Sequence, residues 1–261
     1  MKIQITLISL LLSATGFSQS ISTEAPSVSA SAVTVPKGFL QGELSGGLSV
    51  DNNGPETEIR SNELPFLLLR YGISESWELR MRHNTSFTRN NGIGNYRSTD
   101  FGIGVKYAIL PNDSNTNLAI IGNFSPYAGV SNSIEGNILT AFSHTFKGRH
   151  SIGTNVGYTF YRINFGFPNP IARTNSLLAS AVYSWQFLDC WTAFGEFYFN
   201  RSQFTIGDFD FDPSQSYGID FGVQFLLTER IQLDWVSLFS LSTKNNSHSL
   251  GFNIYIDTNK K

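Results

Sequence analysis

The chain has 261 residues, with 23 Gly, 22 Phe, 10 Tyr and only 15% charged side chains, a mixture suited to a wall between two solvents rather than to a soluble core. Its formal net charge of -2, without a cluster of Lys and Arg, gives no basic stripe for a phosphate backbone, so nucleic acid is not an expected partner. No apolar run reaches the roughly 18 residues of a membrane helix, which leaves a closed barrel as the way for apolar surface to meet lipid.

The chain opens with Met1-Lys2, an apolar stretch over residues 3–12, and then Ser13-Ala14-Thr15-Gly16-Phe17-Ser18. A positive end, a short apolar core and small residues at Gly16 and Ser18 predict a secretory signal peptide over residues 1–18, cut before Gln19. Residues 19–37 are rich in Ser, Ala, Thr, Val and Pro without periodicity, and are expected to form a flexible periplasmic leader. Cys190 is the only cysteine; it supports no disulfide framework and reads as a turn residue rather than a reactive thiol.

From residue 38 to residue 257 the sequence breaks into about twelve stretches of alternating apolar and polar residues, followed by a polar tail over residues 258–261. The expected strands are 38–49, 58–73, 77–88, 98–110, 117–125, 134–146, 151–164, 175–186, 191–200, 217–227, 231–242 and 249–256. The period of two is plainest where Tyr217, Ile219, Phe221, Val223, Phe225 and Leu227 interleave with Gly218, Asp220, Gly222 and Gln224. A strand of about twelve residues, rising ~3.3 Å each and tilted by about 40°, covers close to 30 Å, the thickness of a bilayer's hydrocarbon layer. Short connections at 74–76, 111–116, 147–150, 187–190 and 228–230 alternate with ones expected to be nearer ten residues. That asymmetry places both termini on the periplasmic side, with Asn52, Gly92, Asn132, Pro168, Asp210 and Asn245 outside.

Tyr71, Trp77, Tyr107, Trp185, Phe187 and Trp191 lie within a few residues of the short turns and predict one aromatic girdle at headgroup level. Phe87, Phe199, Tyr217 and Phe239 lie near the long loops and predict the other.

The hairpin Leu64-Pro65-Phe66-Leu67-Leu68-Leu69-Arg70-Tyr71-Gly72-Ile73, followed by Trp77-Glu78-Leu79-Arg80, resembles the outer-membrane transporter family named for the "MetA-pathway of phenol degradation". The similarity continues through residues 100–107, Gly195-Glu196, residues 224–228 and Gln232-Leu233-Asp234. It implies an outer-membrane barrel that admits small organic molecules, hydrophobic or aromatic ones among them, and it implies no catalytic residues.

Charge on the inward parity supplies the candidate site. Arg70, Arg80 and Lys106 fall near short turns on the second to fourth strands, while Glu196 and Asp234 fall at a similar height on the ninth and eleventh, with Asp220 on the strand between. In a closed twelve-stranded wall of backbone diameter ~24 Å, these two groups face each other across the lumen. They predict a charged eyelet with a transverse field; Glu43 either joins the acidic side or pairs locally with Arg70. The competing reading of the same residues is a static, mutually neutralised network that plugs the barrel.

Other motifs lead nowhere comparable. Asp208, Asp210 and Asp212 alternate as in a calcium loop, but Pro213 stands where such a loop needs Gly and Ile219 where it needs Glu. His83, His144, His150 and His248 are scattered, and no Ser, His and acid triad follows from their spacing. The sequence therefore reads as an all-β, closed antiparallel transmembrane barrel of outer-membrane type, a porin-like passive channel for small solutes without cofactor or metal. Its expected partners are outer-membrane lipid, the barrel-insertion machinery and an unidentified small solute. The alternatives are a membrane-embedded enzyme acting on lipids and a structural barrel with a plugged lumen.

Overall fold

The structure, a computed structural model, describes residues 21–24, 27–52, 58–90, 94–110, 112, 115–129, 132–147, 149–165, 170–243 and 245–259, with backbone alone for those between 50 and 65 and between 88 and 98. The expected signal peptide lies outside the described residues. Twelve long strands form the wall: β1 (Phe39–Asn52), β2 (Glu58–Gly72), β3 (Trp77–Asn90), β4 (Gly94–Ala108), β5 (Thr116–Gly129), β6 (Ser133–Phe146), β7 (His150–Asn164), β8 (Ile171–Leu188), β9 (Trp191–Ile206), β11 (Ser214–Thr228), β12 (Ile231–Ser240) and β13 (Asn245–Asp257). A two-residue strand, β10 (Phe209–Asp210), pairs with the end of β9. Every long strand pairs antiparallel with its chain neighbours, and β1 closes the barrel on β13 through the register Gly42↔Ile254.

Closure follows from the alternation. Tyr217, Ile219, Phe221 and Leu227 on β11 are exposed, as are Phe101, Ile103, Val105 and Tyr107 on β4, whereas Asp220 and Lys106 between them are buried. A soluble protein would turn those apolar rows inward; here they form an outer band that only lipid can cover. The short-turn girdle exists as ring contacts. Trp77 and Tyr107 lie 4.7 Å apart, and Trp185, Phe187, Trp191 and Phe225 form a continuous row.

Proline marks two of the irregularities. Pro65 lacks an N–H for the ladder and lies in a bulge of β2, where Glu63 pairs with Ser86 and the next pair is Phe66 with Asn84. Pro126 likewise lies opposite the shift between Phe101 and Ile103 on β4.

Most strands overrun their expected outer ends, β9 by the most, although β12 stops short at Ser240, and this shortens the outer connections below the ten residues expected. Arg173, Asn175, Arg201 and Gln203 show no alternation, because the hairpin of β8 and β9 projects beyond the apolar band, yet Arg173 pairs with Thr205 and Asn175 with Gln203. Backbone pairing alone carries a strand where no face is buried in lipid.

Candidate lumen site

Strand parity puts Gln41 and Glu43 of β1, Arg70 of β2, Glu78 and Arg80 of β3 and Lys106 of β4 on the inner face, all buried. Arg70 stands directly across from Arg80 in the ladder, an arrangement of like charges that costs free energy unless carboxylates intervene. Three do. Glu78 grips Arg70 in a fork, Nε donating to Oε1 at 2.9 Å and Nη2 to Oε2 at 2.9 Å. Glu43 accepts from Arg70 Nη1 at 3.0 Å. The third, Glu24, comes from outside the wall: it accepts from both terminal nitrogens of Arg80 and from Lys106 Nζ, and lies 3.5 Å from Arg70. Burial opposes the charged form of Glu24, but Arg80, Lys106 and Arg70 outweigh it and hold its carboxyl well below the usual carboxylate range.

Glu24 belongs to residues 19–37, expected as a flexible periplasmic leader, and the described residues of that segment bond to the inner wall. Residues 21–24 and 27–37 run inside the barrel as a strap that crosses the bore and returns. One limb is held where Ser22 O accepts from Arg70 Nη1 at 2.7 Å and Glu24 N donates to Glu43 Oε2 at 2.8 Å. The tip reaches the opposite wall: Val28 N donates to Glu196 Oε2 at 3.2 Å, Ser29 Oγ also meets Glu196, and Ala30 N donates to Asn155 Oδ1 at 2.6 Å. The return limb is fixed by Val33 O, which accepts from Arg70 Nη2 and Lys106 Nζ, and by Val35 N, which donates to Glu78 Oε2 at 2.9 Å. Ala32 packs on Ile121 and Ala141 of the wall. The chain leaves through Gly38, whose φ of 76° suits glycine and whose N–H bonds to Gly72 O at 2.8 Å.

The strap changes what the predicted eyelet residues do. Arg70, Arg80 and Lys106 are brought together, and Glu43 joins them by pairing with Arg70, the local alternative left open by the sequence. Their field is not directed across an open lumen at Glu196, Asp220 and Asp234, because Glu24 and Glu78 neutralise it at source. Glu196 serves the strap tip, Asp220 is its cross-strand partner on β11, and Asp234 accepts from Gln232 Nε2 at 2.8 Å and from Asn253 Nδ2. Sequence reasoning passed over Glu24 and Glu78. Glu78 shares the inner parity of Arg80 and could have been found by counting; Glu24 sits in a segment without period and gave no signal.

Two cavities flank the strap. The one toward the outer loops, about 350 Å³, is lined by Phe66, Leu68, Ile121, Leu139 and Leu178, with Ser27–Ala30 of the strap as its floor. Arg82, paired with Asp100 at 3.1 Å and Glu135 at 2.6 Å, lies on its rim. The other cavity, about 520 Å³ toward the short turns, is lined by polar groups such as Asn115, Asn117, Ser143, Ser184 and Gln224. The histidines bond to hydroxyls rather than to carboxylates: His83 to Thr85, His144 to Thr116, His150 to Tyr183 and His248 to Ser237. Among the described residues no group of three His, Cys, Asp or Glu side chains is placed to hold a metal ion, and Asp210 accepts from Thr205 Oγ1 in the outer hairpin.

No protein-family model matches the sequence, and no curated protein matches it either. Solved structures do resemble the fold. An outer membrane channel from Pseudomonas putida F1 superposes with a TM-score of 0.73 at 13% identity, covering 86% of this chain and 98% of that one. The NanC porin gives 0.52 at 14% identity over 82% and 98%, and the translocator domain of the autotransporter NalP from Neisseria meningitidis 0.54 at 10% over 97% and 93%. At these identities the likeness establishes the architecture: a closed antiparallel barrel of the outer-membrane type.

Proposed function

We propose that this protein is an outer-membrane channel for passive passage of small solutes, shut in the present state by its own N-terminal strap. The observation that carries the reading is the pair of cavities on either side of one thin segment: between outer and inner cavity the obstruction is the strap, not the wall. The strap is held by ion pairs and by side-chain to backbone bonds rather than by a strand ladder, so it can leave without breaking the barrel. Phe66, Leu68, Leu139 and Leu178 around the outer cavity favour hydrophobic or aromatic solutes. This agrees with the resemblance to the transporter family named for phenol degradation and with the channel from Pseudomonas putida F1 among the similar folds. On this reading the termini are periplasmic, and an epitope beside Asp210 is reachable on intact cells.

A second reading has its own support: the three cations and three carboxylates around Glu24 neutralise one another, as in a permanently plugged structural barrel. Conductance in a planar bilayer separates the two. Folded native protein that gates between closed and open levels supports the channel. Folded protein that stays silent, together with a silent variant lacking Glu24's charge, supports the plug. Lipid hydrolysis in detergent would instead favour the enzyme.

A further inference from the structure

The inner charges are distributed unevenly. On β1 to β4, Arg70, Arg80 and Lys106 meet Glu24, Glu43 and Glu78. On the facing arc, Glu196, Asp220 and Asp234 are 3%, 2% and 4% exposed, and among the described residues no Lys or Arg lies within ion-pair distance of any of them. Asp234 is satisfied by two amide donors, and Glu196 by Ser29 and Val28 N. Asp220 is different: neither of its carboxylate oxygens meets a donor at full hydrogen-bond geometry, Val28 N and the Glu196 carboxyl are its polar neighbours, and its ladder partner across to β9 is Glu196 itself. Two carboxylates side by side on a buried inner face, one without a well-aligned donor, repel each other and lack the solvation each has lost.

We infer that Asp220 and Glu196 form a binding site for a hard divalent cation, Ca2+ in the first instance, completed by the hydroxyls of Ser29 and Ser180. A charge of +2 matches two carboxylates, and an all-oxygen set suits a hard cation over a soft one. The two hydroxyls are already in place, since Ser29 Oγ lies 2.7 Å from Ser180 Oγ and also contacts Glu196. Because Ser29 belongs to the strap and the carboxylates to the wall, a bound cation ties the strap tip to β9 and β11. That coupling rests on the channel reading above; the binding itself does not.

The test measures binding without reference to conductance. Folded barrels in detergent, verified by heat-modifiable gel mobility, are dialysed against radioactive Ca2+ and separately titrated with Tb3+. Tyr198, two residues from Glu196 on the same inner face, is placed to sensitise terbium emission. One Ca2+ per native barrel is expected, with terbium emission that Ca2+ displaces. Asp220→Asn and, independently, Glu196→Gln should each weaken binding by about tenfold or more, because the charge count of the ligands sets affinity. Asp234→Asn should leave it unchanged, and where one of the two weakening variants does not fold the other decides alone. The inference is overturned if native protein takes up no cation, which would leave the carboxylates sharing a proton instead. It is equally overturned if binding persists at native strength in Asp220→Asn, which would move it to surface acids such as Asp208 and Asp212. Should binding hold while the barrel never conducts, the site stands and the channel reading falls.

Discussion

Replacing Glu24 with Gln tests the strap most directly. The side chain keeps its volume and can still accept from Arg80, but the negative charge shared by Arg80, Lys106 and Arg70 is gone. Three cations then face only Glu43 and Glu78 in a region from which water is largely excluded. Removing one partner of a buried ion pair costs about 3 to 5 kcal/mol, and the low end applies because Gln retains hydrogen bonds. The loss falls on the docked strap alone, since in the undocked state water reaches the three cations. A penalty of about 3 kcal/mol on the closed state, at 1.36 kcal/mol per factor of ten, raises the ratio of open to closed barrels by about two orders of magnitude. Single-channel recording in a planar bilayer reads that ratio as open probability, after heat-modifiable mobility has shown the variant folded. Limited proteolysis gives an independent reading, because an undocked strap is cleaved within residues 21–37 and a docked one is not. A folded Glu24→Gln barrel with native open probability and native resistance would refute the idea that this carboxylate holds the strap.

Three further outcomes follow from the same geometry. A Cβ added at Gly72 would lie 2.1 Å from Pro36 O and 2.4 Å from Val35 O, so Gly72→Ala should push the strap's exit off the wall and raise protease sensitivity there; unchanged cleavage would contradict that close approach. Val223 lies on the lipid-facing parity between Phe221 and Phe225, so Val223→Arg should cost about 2 to 4 kcal/mol in a lipid refolding titration if it sits near the bilayer midplane, and an undisturbed barrel would refute the face assignment. The carboxyl of Glu24 is depressed by Arg80, Lys106 and Arg70, with Glu43 and Glu78 alongside. A depressed carboxyl stabilises the docked state above its ordinary pKa and loses that contribution only as pH falls through the lowered value. The contribution of Glu24, read as the difference in open probability between native and Glu24→Gln barrels, should therefore be constant from pH 7 to pH 5 and shrink only below about pH 4; a difference that vanishes between pH 5 and 7 would refute the role given to this carboxylate.

The wall was legible because lipid imposes a rule that each strand obeys separately. Phe221 and Asp220 differ by one position and face different solvents, and the same holds for Val105 and Lys106; register then follows from alternation and closure from the need to leave no edge. The outer ends were less legible, since Arg201 and Gln203 stand above the apolar band, where parity has no consequence for free energy. The expected second strand runs straight through Pro65 and the fifth stops at residue 125, just before Pro126, so neither bulge shared with a neighbour was read from the sequence.

The strap escaped because its backbone is satisfied by a different rule. A segment crossing a lumen has no strand partner, so its N–H groups must find acceptors on wall side chains or remain unbonded. Glu24 N bonds to Glu43, Val28 N to Glu196, Ala30 N to Asn155 and Val35 N to Glu78. Three of those four acceptors are carboxylates, and each had an apparent role in a transverse field or in none at all. Their actual partners are amides of a sequence that carries no period. One trace was nevertheless present: on the inner parity of β1 to β4, once Arg82 is matched by Asp100, Arg70, Arg80 and Lys106 outnumber Glu43 and Glu78 by one. An uncompensated buried cation is too costly to persist, so that arc demanded one more carboxylate from elsewhere in the chain. Glu24 is the only acidic residue between the expected cleavage point and β1, and the excess charge on the wall is the physical reason that a segment of Ser, Ala, Thr and Val comes to lie inside the barrel.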